Sequence, residues 1–314
     1  MTTYENAEDQ YVDVGGARFA YRRFGVSAGV PLVLLMHFRG TMDHWDPALI
    51  NPIAAVRPVF IMDNAGVGRS RGQVANSFAD WARYTIDVLS ALGIKQIDLL
   101  GFSMGGAAAQ IVTLTAPHLV RRLILAGTTL SIGEGVVQAD LGPFFQLKAA
   151  KTEEEQKNAF LDTFFEKSET SRNAGLESWQ RIVSARKNRV DYIGPDESKR
   201  QAIAFEKFMT PKLSKFGSYD RFHEIKIPVL IANGIGYRLS EMFGSADLSH
   251  DTGRNDLLLP SENSYLMWKK LVNAEPHLHL FPDSGHGFLY QYANEFSRMI
   301  NNFLDAPAAR TSRL

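Results

Sequence analysis

Along the first 126 residues, short apolar runs alternate with stretches of helical periodicity. The runs at 31–36, 59–62, 97–100 and 123–126 are rich in Val, Ile and Leu without clean alternation, as a strand buried on both faces should be. Runs at 11–14 and 18–24 flank Gly15-Gly16, a two-residue hairpin signal. Helical spacing fills the gaps at 45–55, 78–92 and 105–116, with Ser77 placed to cap the second helix and Gly93 to stop it. Strands separated by single helices predict right-handed parallel crossovers and an α/β sheet.

From 133 to 223 the strand signal disappears. Phe160, Phe164 and Phe165, then Trp179, Ile182 and Val183, recur at helical spacing, which predicts roughly three to five helices inserted between two sheet strands. Such an insertion serves either as extra core cover or as a lid. The α/β rhythm resumes with strands at 228–232 and 277–281 and helices at 261–272 and 295–304. Between them, 235–254 has no clear periodicity and is long for a loop in a compact domain. The expected organisation is a first core part at 1–132, a helical lid at 133–223, a second core part at 224–305 containing that loop, and a small, polar tail at 306–314.

Composition narrows the chemistry. The chain has 314 residues, with Lys plus Arg at 34 and Asp plus Glu at 34. A neutral chain offers no electrostatic footprint for nucleic acid or an anionic membrane. The absence of cysteine excludes disulfides, thiolate metal sites and a cysteine nucleophile. No apolar run approaches the roughly 18 residues that span a bilayer. The first ten residues carry neither the basic nor the apolar part of a secretory signal, so a cytoplasmic location is expected.

The sharpest motif is Gly101-Phe102-Ser103-Met104-Gly105, a G-x-S-x-G lying after one expected strand and before an expected helix. A nucleophile on such a turn needs tiny neighbours two positions to either side, and Gly101 and Gly105 supply them. A serine hydroxyl also needs a base to take its proton. Of the eight histidines, His286 stands out, in Asp283-Ser284-Gly285-His286-Gly287 just after a late strand. His277 and His279 alternate onto one strand face and read as structural, His118 ends a helix, and His44 and His223 have no motif around them. The base needs an acid to fix its tautomer. Asp256, 30 residues before His286, is the choice; Asp247 and Asp251 are rivals, and Asp283 reads as a turn cap. His37-Phe38-Arg39-Gly40 follows a strand where a backbone oxyanion donor is expected, so the donors are the N–H groups of Phe38 and Met104, with His37 bracing the loop. Arg39 reads either as a surface residue or as a clamp on a polar substrate group.

These residues together resemble the α/β-hydrolase fold superfamily, from about Tyr11 to Leu304. Asp63-Asn64-Ala65-Gly66-Val67-Gly68-Arg69-Ser70 looks like the family's D-x-x-G-x-G-x-S turn, Asp256-Leu257-Leu258-Leu259-Pro260 like its acid turn, and Pro282 to Gly287 like its histidine loop. His37-Phe38-x-Gly40-Thr41 with Trp45-Asp46-Pro47 resembles a subgroup related to esterases, lactonases and cofactor-free haloperoxidases. The resemblance implies a mostly parallel eight-stranded sheet and a Ser103–His286–Asp256 triad. One departure is the roughly twenty residues separating the acid from the preceding strand.

The expected function is hydrolysis of a small ester or lactone through an acyl-enzyme, with no metal and no organic cofactor. The substrate is expected to be small and mainly apolar, in a pocket drawn from Arg39, Phe102, Phe144, Phe145 and Trp179. A homodimer is compatible with the chain. Alternatives on the same triad are carbon–carbon bond hydrolysis and perhydrolysis. An alternative of another class is a ligand receptor that acylates once and changes shape.

Overall fold

Strand β3 (Leu32–Leu35) is buried on both faces, and its residues divide strictly by parity. Leu32 and Leu34 enter one core, Val33 and Leu35 the other. The same division holds along β5 (Ile97–Phe102) and β7 (Val229–Ile235), and along β6 (Val120–Ala126) from Leu123 onward, past the irregular pairing at its start. A sheet with apolar side chains on both faces needs helices on both faces. In the computed structural model, which describes residues 1–236 and 256–307, it has them.

The sheet has eight strands in the order β1-β2-β4-β3-β5-β6-β7-β8. The outer strands are β1 (Gln10–Val14), β2 (Ala17–Gly25), β4 (Pro58–Met62) and β8 (Pro276–Pro282). β1 and β2 form the antiparallel hairpin that Gly15-Gly16 announces, β2 pairs antiparallel to β4, and all other neighbours run parallel. Helices α1 (Pro47–Ala54) and α10 (Ala293–Asp305) cover one face. Helices α2 (Phe78–Ala91), α3 (Met104–Thr115) and α8 (Glu262–Lys270) cover the other.

Local signals set the helix ends. The Ser77 side chain accepts a hydrogen bond from Asp80 N–H at 3.1 Å, and Gly93 turns left-handed at φ +71° where α2 stops. α1 starts at Pro47 rather than 45, because Asp46 caps Ala48 N–H at 2.9 Å and Pro47 fits the first turn. β6 starts three residues earlier than its apolar run. Arg121 pairs bidentately with the buried Asp98 of β5, at 2.9 and 2.6 Å, so a charged residue continues the strand. The short helix α9 (Phe288–Gln291), directly after the histidine loop, had no distinct sequence signal.

Between β6 and β7 lie α4 (Gly142–Ala149), α5 (Glu153–Phe164), α6 (Glu169–Ser184) and α7 (Pro195–Phe208), followed by two short 3₁₀ turns. A capping box at Thr152 and Glu155 starts α5, and Ser168 caps α6. The insertion shares the core of the sheet: Phe160, Phe164 and Trp179 pack in one cluster with Phe102 and Tyr290. It is also tied down by buried polar contacts. Asp46 accepts from Ser178 Oγ at 2.7 Å and from Arg181 Nη2 at 2.7 Å. Asp43 accepts from Arg22 Nη1 at 2.6 Å, from Arg69 Nη1 and from Val190 N–H at 2.8 Å.

Asp46 is fully buried and serves two elements at once, the α1 cap and the α6 anchor. Asp46→Ala is expected to cost about 2–4 kcal/mol, from the lost cap and the partners left behind. Asp46→Asn, which keeps a cap acceptor, is expected to cost less. Urea midpoints of the two variants check this; equal midpoints for Asp46→Ala and the parent would refute it.

Candidate active site

β5 ends at Phe102 and α3 begins at Met104, so the whole reversal falls on Ser103, at φ +58° and ψ −122°. This is a region that L residues rarely occupy, at a cost of order 1–3 kcal/mol. Hydrogen bonds hold it: Ser103 N–H donates to Ala126 O at 2.9 Å, and Thr128 Oγ1 donates to Ser103 O at 2.8 Å. The glycines are there for space. A Cβ on Gly105 would lie 2.2 Å from Leu35 O, and one on Gly101 would lie 2.4 Å from Gly105 O. Helix α3 therefore packs directly on the ends of β3 and β5, with its first turn beside the serine. That end of a helix carries a partial positive charge.

His286 sits in the loop after β8, fully buried. Its Nδ1 donates to Asp256 Oδ2 at 2.5 Å, and Asp256 is buried as well. The other carboxylate oxygen accepts from Leu258 and Leu259 N–H at 2.8 and 3.0 Å. With both oxygens engaged, the carboxylate cannot turn, and the imidazole tautomer is set with Nε2 free of its proton. His286 Nε2 is buried and has no hydrogen-bond partner among the described residues. The Phe102 ring stacks on the imidazole at 4.9 Å, and Phe164 meets it edge-on at 4.9 Å. A Cβ at Gly127, just past β6, would lie 3.2 Å from both His286 Nδ1 and Phe102, which puts the imidazole beside the strand end next to Ser103. Asp283 is engaged elsewhere, accepting from Ser168 Oγ at 2.8 Å. Asp247, Asp251, His250 and most of 235–254 lie outside the described residues.

Ser103, Met104 and Phe38 line one cavity of about 430 Å³. Phe144 and Phe145 of α4 line it too, the Phe144 ring 4.5 Å from that of Phe38. Three other residues expected at the pocket do not line it. Phe102 is fully buried, with its ring against His286. Trp179 faces inward from α6 onto Phe160, at 5.5 Å. Arg39 is buried with its guanidinium on main-chain carbonyls: Nε donates to Ile193 O at 3.0 Å and Nη1 to Leu147 O. Sequence reasoning missed Phe205 of α7 and Leu258, Leu259 and Pro260 after the acid, which also form the wall. Nothing in their spacing separates a cavity wall from a helix core.

His37 braces its own loop. Nδ1 donates to Phe38 O at 2.8 Å, and the ring lies edge-on to Phe102 and Phe164. Burial pushes the imidazole down to about 3. Burial also holds His44, whose Nδ1 accepts from Thr41 N–H at 3.1 Å, well below the usual histidine range. Both are neutral in the folded protein and gain protons on unfolding below about pH 6.5. The unfolded chain then binds more protons, so stability is full above that pH and falls as pH drops toward 3. The urea midpoint is therefore expected to fall between pH 7 and pH 4.5, and to fall less in His37→Gln. An equal fall in both proteins would show that His37 does not contribute.

The sequence profile of the alpha/beta hydrolase fold family matches residues 30–291. A solved alpha/beta hydrolase fold protein from Chitinophaga pinensis is 30% identical, covers 98% of this chain and all of its own, and superposes with a TM-score of 0.80. A 2-hydroxymuconate semialdehyde hydrolase of Pseudomonas putida is 25% identical over 79% of this chain and 77% of its own length. A 2-hydroxy-6-oxononadienedioate/2-hydroxy-6-oxononatrienedioate hydrolase of Paraburkholderia phymatum is 25% identical over 97% of this chain and 98% of its own. A sheet of this order, a serine on the β5–α3 turn and a family match over most of the chain agree: this chain belongs to the alpha/beta hydrolase fold family.

Proposed function

We propose that the chain is a serine hydrolase that cleaves a neutral, mainly apolar ester or lactone. The observation that carries this reading is a strained, cavity-lining Ser103 beside a buried histidine whose Nδ1 is committed to a carboxylate. In the proposed reaction Ser103 Oγ attacks the carbonyl carbon, and its proton passes to His286 Nε2. Asp256 keeps the imidazole in place and stabilises the imidazolium that forms. The N–H groups of Phe38 and Met104 take the developing oxyanion, a contribution worth roughly 10²–10³ in rate per donor. The alkoxide leaves with the proton from His286. Water then gives its proton to His286 as it attacks the acyl-enzyme, and the carboxylic acid and Ser103 Oγ–H are released. The helices between β6 and β7 act as the lid of this site.

The cavity wall argues for the substrate class. Phe38, Met104, Phe144, Phe205, Leu258 and Leu259 make it largely apolar. Among its described lining residues, charge comes only from Asp140, Lys148 and Glu206, and the two acids are exposed. A substrate carboxylate drawn in beside Ser103 would lose its hydration against an apolar wall, which is costly without a paired cation. Similarity to relatives named as semialdehyde and dioate hydrolases favours a second reading, carbon–carbon bond hydrolysis on the same residues. That reading requires an anionic substrate to be held in a largely apolar wall whose one cation among the described lining residues is Lys148.

Ser103→Ala is expected to lower turnover of a short-chain nitrophenyl ester at least roughly a thousandfold and to abolish fluorophosphonate labelling, with the fold intact by circular dichroism. Near-parental activity would refute the mechanism, and a single burst without turnover would point to a receptor. Asp256→Asn is expected to cost roughly 10³–10⁴ in kcat, whereas Asp247→Asn and Asp251→Asn are expected to leave it near parental; the reverse pattern would move the acid into the preceding loop. Turnover of a dienedioate in preference to the neutral ester would establish the carbon–carbon reading instead.

A further inference from the structure

We propose that Arg39 is a positioning residue that ties the oxyanion loop to the helices above the cavity, so that Phe38 is held for catalysis only while those helices are docked. The inference rests on the reading of Ser103 and Phe38 given above.

Among the described residues, the hydrogen bonds of Arg39 go to the inserted helices and the segment between them. Its main-chain N–H donates to Gln201 Oε1 on α7 at 2.8 Å. Its main-chain oxygen accepts from Ile193 N–H at 3.1 Å. Its Nε donates back to Ile193 O at 3.0 Å, and Nη1 donates to Leu147 O on α4. The guanidinium also lies 5.7 Å from the centre of the Tyr192 ring. One residue thus holds α4, α7 and the chain before α7, and it is buried while doing so.

The backbone at Arg39 is what makes this a constraint on catalysis. Its φ is +64°, the left-handed region that favours glycine. Arginine stands there nonetheless, and its side chain supplies the two bonds a glycine could not. The neighbouring residue on one side is Phe38, and on the other Gly40 N–H closes the turn onto His37 O at 3.2 Å. His37 Nδ1 fastens the inner side of the loop through Phe38 O, and Arg39 fastens the outer side. Phe38 lies between the two fastenings, with its ring against Phe144 of α4. A shift of α4 or α7 pulls on the residue next to the donor N–H. Oxyanion donors act by being held in place before the reaction, so a loosened loop lowers transition-state binding more than substrate binding.

The role differs from a substrate clamp in a measurable way. A clamp touches substrate, and its loss appears in KM. A tie acts through Phe38, and its loss appears in kcat. With a neutral short-chain ester, Arg39→Met is expected to lower kcat roughly 10- to 100-fold, the scale of a small misplacement in an active site, with KM changed by less than about threefold. Fluorophosphonate labelling is expected to slow in parallel, and Arg39→Lys, which keeps a donor for a main-chain carbonyl, to recover part of kcat. Gln201→Met removes one tie from the lid side without touching the loop, and is expected to lower kcat in the same way if Arg39→Met does not fold. Unchanged kcat in a folded variant, or a loss confined to KM, overturns the proposal. Parental turnover that survives Ser103→Ala overturns the reading of the site instead.

Discussion

The close approach of α3 to the ends of β3 and β5 is the constraint on which the rest of the site depends. A methyl group at Gly105 would strike the carbonyl of Leu35, and one at Gly101 would strike the first turn of the helix. With no side chain at either point, the chain can reverse in a single residue, and that residue is Ser103. The left-handed backbone there is unfavourable taken alone. It persists because a β-sheet hydrogen bond from Ser103 N–H to Ala126 O and a helix packed onto the strand ends leave the chain no other route. The same packing sets the helix N-terminus beside the hydroxyl. Strain, partial charge and exposure to the cavity all follow from the absence of two methyl groups.

The second half of the site is assembled by similar means at the far strands. Gly234 lets β7 lie against the histidine loop, where a Cβ would be 2.1 Å from Gly285 O. Gly287 N–H donates to Phe164 O at 2.6 Å, so the end of α5 rests on the loop that carries His286. The inserted helices therefore belong to the construction of the site as much as to its cover. They supply the Phe164 edge against the imidazole, the acceptors for Arg39 and three aromatic residues of the cavity wall, Phe144, Phe145 and Phe205. Buried carboxylates at Asp43, through Val190 N–H and Arg186, and at Asp46, through Arg181, anchor them to the first core part. Apolar contact alone would hold these helices without fixing their register; directional bonds to buried charges fix it.

How much of this could be read from the sequence follows from which signals are local. The central strands were legible because burial on both faces leaves apolar runs, the β1–β2 hairpin because Gly15-Gly16 marks its turn, and Arg121 and Arg122 hid the start of β6. Ser103 was legible because the space it needs is written as glycines at fixed offsets. Asp256 and His286 were named through short motifs, and the structure brings them within 2.5 Å. The pocket was not legible. Arg39 beside an expected oxyanion loop suggested a hand for substrate, yet it faces the carbonyls of Ile193 and Leu147, 154 and 108 residues away in sequence. Trp179 and Phe144 carry the same aromatic signal, and one packs inward while the other lines the cavity. Helical spacing tells which residues share a face; what that face meets is decided by contacts that are distant along the chain.

Asp256 shows how the turn that follows a residue can place it. About twenty residues separate β7 from Asp256, and lengthening a loop costs only about 0.6 kcal/mol for each doubling. Among the described residues, what places the carboxylate comes afterwards. Leu258 and Leu259 N–H hold one oxygen, Ser261 Oγ donates to Gly234 O at 2.5 Å, and Asn233 Nδ2 donates to Leu259 O at 3.1 Å. The turn after the acid is thereby bolted to the end of β7, and Leu258, Leu259 and Pro260 become part of the cavity wall. Among the described residues, the position of Asp256 beside His286 is set by its own turn and by the end of β7.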